Sequence, residues 1–209
     1  MNKIPLIGIG LLFLFSCGNE ALPILGNREV KVTRNGNAET IDTIYQTIPD
    51  FQFQDQYGHS FSSKQTANKI YVADFFFVTC PSICPRMKRN LLKVNEKYGS
   101  DTNFLILSHT IDPEHDSVSV LYDYADKLNV NHGNWFFLRA DRAYTYELAA
   151  HAYYASALAD STEPGGFVHS GGLILVDQQK RVRGIYDGTN ADETEKLIKD
   201  IHILMHEKN

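Results

Sequence analysis

The chain has 209 residues, 43% of them hydrophobic and 22% charged, which suits one globular domain with an ordinary core. Its formal charge is −5 and no run of lysine or arginine occurs, so a nucleic-acid surface is not expected. Fourteen glycines and seven prolines are too few for a low-complexity polymer.

Met1-Asn2-Lys3 gives a short positive start, and residues 4–15 are almost wholly apolar. A helix needs about 20 apolar residues to span a bilayer, so this shorter run reads as a secretory signal. Leu14-Phe15-Ser16-Cys17 resembles a bacterial lipobox, which is cut before its cysteine. Residues 1–16 are therefore expected to be removed, and Cys17 to carry lipid. The alternative is a plain membrane anchor over 4–15, with Cys17 incidental. Two thiols then remain, Cys80 and Cys84, too close in sequence to staple a fold.

Residues 18–48 read as a leader of mixed character, a tether or a small edge element. Alternation at Phe51, Phe53 and Asp55, with the turn former Tyr57-Gly58-His59, predicts a hairpin over 51–62. The run 70–78 predicts a strand buried on both faces, interrupted by Asp74, a buried acid that needs a partner or a raised pKa. Met87, Leu91, Val94 and Tyr98 predict a helix over 86–98 that stops at Gly99. A buried strand follows at 104–107, and Asp112-Pro113 marks a turn. A helix over 117–128, capped by Asp116 or Ser117, leads to a strand at 135–138. The stretch 142–158 reads as helical and 160–166 as a polar loop; strands at 172–176 and 182–186 and a helix at 191–205 close the chain. This alternation predicts an α/β fold, a central sheet with helices on its faces.

The segment Thr79-Cys80-Pro81-Ser82-Ile83-Cys84-Pro85 lies between a buried strand and a helix. Ligands of open α/β sheets gather at that end of a strand. A cysteine near a helix start is expected to favour the thiolate. Two thiolates suit Cu(I) or zinc, and the same pair can close as a disulfide or remain as inert thiols. A third ligand would be a histidine, and eight are available. His202 and His206 stand one helical turn apart and can be a metal pair or plain surface residues. His151 falls inside a predicted helix with no acid at the needed spacing. His109 and His115 flank the turn near the cysteine loop. His169 has the best context, between the glycine-rich loop 165–168 and the strand at 172.

The segments Asp74 to Pro85, Ser108 to Asp116, Val168-His169-Ser170 and Leu173 to Asp177, in this order, resemble the Sco/SenC family of copper-binding proteins. The resemblance implies a thioredoxin-like domain over 45–209, behind a tether and N-terminal extension at 17–44. It implies copper, as Cu(I) and also Cu(II), held by Cys80, Cys84 and His169. It implies a metallochaperone that assists assembly of the binuclear copper centre of cytochrome c oxidase, with that subunit or another envelope copper protein as partner. It equally permits thiol–disulfide reductase chemistry at Cys80 and Cys84, with a thiol reductant as partner, or a copper- or redox-sensing interaction protein. A lipidated Cys17 would hold it to the membrane of a bacterial envelope, facing the periplasm. His109 and His115 depart from the family pattern and stand as weak ligands or as residues that tune the loop.

Overall fold

The computed structural model describes residues 21–35, 38–130, 133–159, 167–169 and 171–207, with the backbone alone at 35, 38, 159, 168 and 169. The signal and lipobox residues lie outside them.

The leader proves more ordered than a tether. Strands β1 (Arg28–Asn35) and β2 (Ala38–Tyr45) form an antiparallel ribbon that pairs Arg28 with Tyr45 and Asn35 with Ala38. Val30 and Val32 alternate with polar residues, and the register leaves the sequence Gly36-Asn37 between the strands, a glycine-first pair that two-residue hairpins also favour. The expected second hairpin is present as β3 (Gln52–Gln54) and β4 (Ser60–Ser62).

All seven residues of β5 (Ile70–Phe76) are buried. Helix α1 (Cys84–Tyr98) follows, then β6 (Phe104–Thr110), α2 (Val118–Lys127) and β7 (Trp135–Leu138). Ser117 caps α2, its hydroxyl accepting from the Val120 N–H. Helix α3 (Arg142–His151) is shorter than predicted: Tyr154 adopts a left-handed backbone (φ 55°), and residues expected to continue the helix become β8 (Ala157–Ala159). Strand β8 pairs with β9 (Phe167–His169), so His169 ends a strand rather than sitting in a loop. Strands β10 (Gly172–Val176) and β11 (Val182–Asp187) and helix α4 (Ala191–His206) complete the chain.

The main sheet has the order β11-β10-β5-β6-β7. Strands β5, β6 and β7 are parallel, and β10 and β11 join antiparallel beside β5. The α/β architecture expected from the sequence, thioredoxin-like with helices flanking a central sheet, is the one observed. Two faces matter for the site. Asp74 and Ser108 are register partners that meet α1, where Lys88 reaches both. One residue on, Phe75 and His109 point the other way, toward Phe53 and Tyr153.

Candidate metal centre

Strand β5 delivers the chain to the carboxyl edge of the parallel strands, and its ladder ends where the Ile111 N–H donates to the Phe76 carbonyl (2.9 Å). The Val78 N–H then donates to Asp116 Oδ2 (3.1 Å), and the Cys80 N–H turns back to the Phe77 carbonyl (3.2 Å). Ile83 opens α1, whose first residue is Cys84; Pro85 sits in the first turn, where a missing N–H costs nothing. Both cysteines are buried, with no disulfide between them. They border a groove of about 270 Å³ lined also by Val78, Lys88, Tyr124 and Leu128.

The helix start does not make Cys84 a thiolate. Its thiol is pushed well above the usual range, first by the hydrogen bond it shares with Cys80, then by burial and by the charge of Cys80. Lys88 and the Phe77 backbone pull the other way without prevailing. Two buried sulfurs sharing a proton are a donor set in which one soft cation can take the proton's place, since metal binding and deprotonation are coupled. The pair therefore fits a soft metal ion.

Among the described side chains no three of histidine, cysteine, aspartate and glutamate converge to hold a metal. The His169 side chain lies outside the described residues, but its backbone is bracketed. Two residues before it, the Phe167 ring packs on Phe77 with centroids 4.9 Å apart. Two residues after it, a Cβ added at Gly171 would stand 3.6 Å from Ile83 Cδ1. Phe77 precedes the cysteine loop and Ile83 directly precedes Cys84, so the segment on one side of His169 packs on the approach to the loop and the segment on the other side passes beside the residue before Cys84.

The other candidates disperse. His109 is fully buried on the sheet face opposite Lys88, stacked on Phe75 (5.2 Å) and edge-on to Phe53 (4.6 Å). Burial above all, with Lys88 adding to it, lowers its pKa to about 3. It is no ligand of the pair, because strand alternation turns it from the Asp74 side. His115 is half exposed, with Nδ1 3.1 Å from Asp116 Oδ1. His151 does have an acid in place: Glu147, one turn earlier, lies 3.3 Å away. His132 lies outside the described residues.

Asp74 has found partners. Its Oδ2 accepts from Lys88 Nζ (2.7 Å) and its Oδ1 from the Ser108 hydroxyl, which itself accepts from Lys88 (2.8 Å) and Trp135 Nε1 (2.9 Å). Sequence reasoning missed Lys88. The available signal was its place on the apolar stripe between Met87 and Leu91, one turn after Cys84. Asp116 was read only as a cap. It is fully buried, and its carboxylate ties Val78, ahead of the cysteines, to Thr110 at the end of β6 (3.1 and 2.5 Å). Asp116→Asn is expected to cost about 1–3 kcal/mol, the range for a buried charged hydrogen-bond partner. Hydrogen exchange should report it as lost protection at the Val78 amide.

The SCO1/SenC family model matches residues 40–206. The SCO1 protein homolog of Bacillus subtilis (strain 168) is 24% identical over 202 residues, covering 96% of each chain. Solved structures similar to this chain include two Sco-family proteins. One is a SCO1/SenC family lipoprotein from Bacillus anthracis str. Ames, with a TM-score of 0.68 and 26% identity over 77% of this chain and 95% of that one. The other is BsSco, a member of the Sco family of cytochrome c oxidase assembly proteins studied for a disulfide switch, with a TM-score of 0.64 and 25% identity over 74% and 92%. With the family model covering most of its length and the paired cysteines at the strand–helix junction, this chain belongs to the SCO1/SenC family.

Proposed function

We propose that the protein is a lipid-anchored copper chaperone that binds Cu(I) through Cys80, Cys84 and His169 and passes it to the copper centre of a cytochrome c oxidase subunit or to another envelope copper protein. The observation that carries this reading is the bracketing of His169 by Phe167 against Phe77 and Gly171 beside Ile83. Soft sulfur donors with one imidazole suit Cu(I), and Cu(II) would add a further nitrogen or oxygen ligand. ScoI of Bradyrhizobium japonicum, which shares the fold at 20% identity, is solved with copper bound.

Transfer would proceed by ligand exchange, an incoming sulfur displacing one donor at a time while the groove beside the pair gives it access. A thiol reductant keeps the pair able to load. Residues 1–16 are the signal, Cys17 carries the lipid, and 17–44 are the tether and N-terminal extension, whose residues from Leu22 on are already bonded to the domain. Among the described residues no helix is long and apolar enough to cross a membrane. A lipid on Cys17 would place the domain in the bacterial envelope, facing the periplasm.

Anaerobic Cu(I) competition tests this reading. His169→Ala is expected to weaken binding by about 10–100-fold or more, since losing even a supporting partner of a ligand costs that much. Equal affinity in wild type and variant would sink it. A second reading, thiol–disulfide exchange, draws on the hydrogen-bonded sulfurs and on the disulfide switch of BsSco. It predicts that His169→Ala keeps full exchange activity with a model disulfide.

A further inference from the structure

Helix α4 presents two imidazoles with no part in the cysteine site. His202 and His206 are both exposed, one turn apart, with ring centroids separated by 4.3 Å and planes inclined by 46°. His206 Nδ1 lies 2.8 Å from the His202 carbonyl oxygen. A carbonyl only accepts, so Nδ1 carries the proton and Nε2 keeps its lone pair. A backbone carbonyl fixing the tautomer in this way is the usual support of a metal-ligating histidine.

The spacing also fits. Two imidazoles bound cis to one ion at about 2.0–2.1 Å would hold their ring centres about 4.5–5 Å apart, a few tenths of an ångström from the separation seen. The neighbouring carboxylates are engaged elsewhere. Both oxygens of Glu207 accept from Arg183 (2.8 Å each), and Asp200 accepts from Tyr186 (2.7 Å). Those two carboxylates thus leave the remaining coordination positions to water. The pair lies in the last turn of a 16-residue helix, where the helix dipole favours a cation. The exposed His115 and His151 differ, each having an acid beside it instead of a second imidazole.

We propose that His202 and His206 form a second metal site, for a divalent ion that seeks imidazole, with Cu(II) bound most tightly by the ordinary order of first-row ions. The site is separate from the thiol pair. Helices α1 and α4 advance in the same direction, with Asn90 Nδ2 donating to the Gly188 carbonyl (2.8 Å) and the Tyr98 hydroxyl to the Ile198 carbonyl (2.9 Å), so their starts lie toward one end of the molecule. At about 1.5 Å per residue, the last turn of α4 lies about 20 Å further along. That far end is where the chain enters from residue 21, since Arg183 bonds both Glu207 and the Leu22 carbonyl. The inference does not depend on copper binding at Cys80 and Cys84.

The test uses the full chain with Cys80→Ser, Cys84→Ser and His169→Ala, which removes the first proposed site and its reducing thiols. Cu(II) is titrated by equilibrium dialysis and electron paramagnetic resonance. One ion per chain with nitrogen hyperfine structure is expected. Adding His202→Gln, or separately His206→Gln, should weaken it by about tenfold or more. Adding His151→Gln should leave it unchanged, and circular dichroism should report intact helices throughout. Absence of a one-to-one complex in the parent, or equal binding after both glutamine substitutions, would overturn the proposal.

Discussion

Lys88→Ala should destabilise the fold by about 3–5 kcal/mol, the cost of removing one partner of a buried ion pair. The ammonium is almost entirely buried, 2.7 Å from Asp74 Oδ2 and 4.1 Å from the centre of the Phe76 ring. Asp74 is fully buried, so without Lys88 its carboxylate keeps only the Ser108 hydroxyl. The penalty comes from the stranded charge more than from the lost attraction, and that makes a double variant decisive. Asp74→Leu with Lys88→Met removes both charges at similar volume and should recover most of the loss. Urea midpoints of the four proteins in the cycle give the coupling directly. If the double variant is as unstable as the sum of the singles, the ion pair is not what holds α1 against β5. The same cation lines the cysteine groove and pulls the Cys84 thiol down, so Lys88→Met should also slow alkylation of the pair at pH 8.

How far the sequence could be read depended on whether a signal was local. Strand β5 was legible because eight apolar or β-branched residues in a run of nine leave little alternative to a strand buried on both faces. Its ladder stops at Phe76, two residues short of the predicted end, and the Val78 N–H donates instead to Asp116, 38 residues away. The cysteine loop was legible from residue types and spacing alone. What failed depended on partners distant in sequence or on signals given too little weight. The 142–158 stretch is rich in alanine and tyrosine, and nothing local announces that Tyr154 turns left-handed and that Ala157 pairs with His169. The β1–β2 ribbon was a missed Gly-Asn signal at residues 36–37. Glu147 was equally visible one turn before His151 and was overlooked. Asp74 was correctly flagged as needing a partner, yet Lys88 was hidden by the expectation that a lysine on a helix faces water.

His109 was the reverse case: the sequence marked it as a neighbour of the metal, and the structure makes it a liability of the core. Neither ring nitrogen has a hydrogen-bond partner among the described residues, and the ring is fully buried among Phe51, Phe53, Phe75 and Tyr153. Its pKa is about 3, against 6.5 for a free imidazole. The folded protein therefore holds it neutral, while the unfolded chain takes up a proton as pH falls below 6.5. Stability is untouched by this residue above that value and declines between about pH 6.5 and 3. At about 1.4 kcal/mol for each pH unit between those two values, the full loss is on the order of 4–5 kcal/mol. His109→Leu should act twice. It should raise stability at pH 7 by about 1–3 kcal/mol, because an unpartnered buried polar group gives way to an apolar one. It should also flatten the decline between pH 6 and 4 that wild type shows. Urea unfolding of both proteins at pH 7, 6, 5 and 4 measures the difference, which cancels the carboxylates common to both. Parallel curves would mean that protonating His109 costs the fold nothing, and that this imidazole has a partner that relieves its burial.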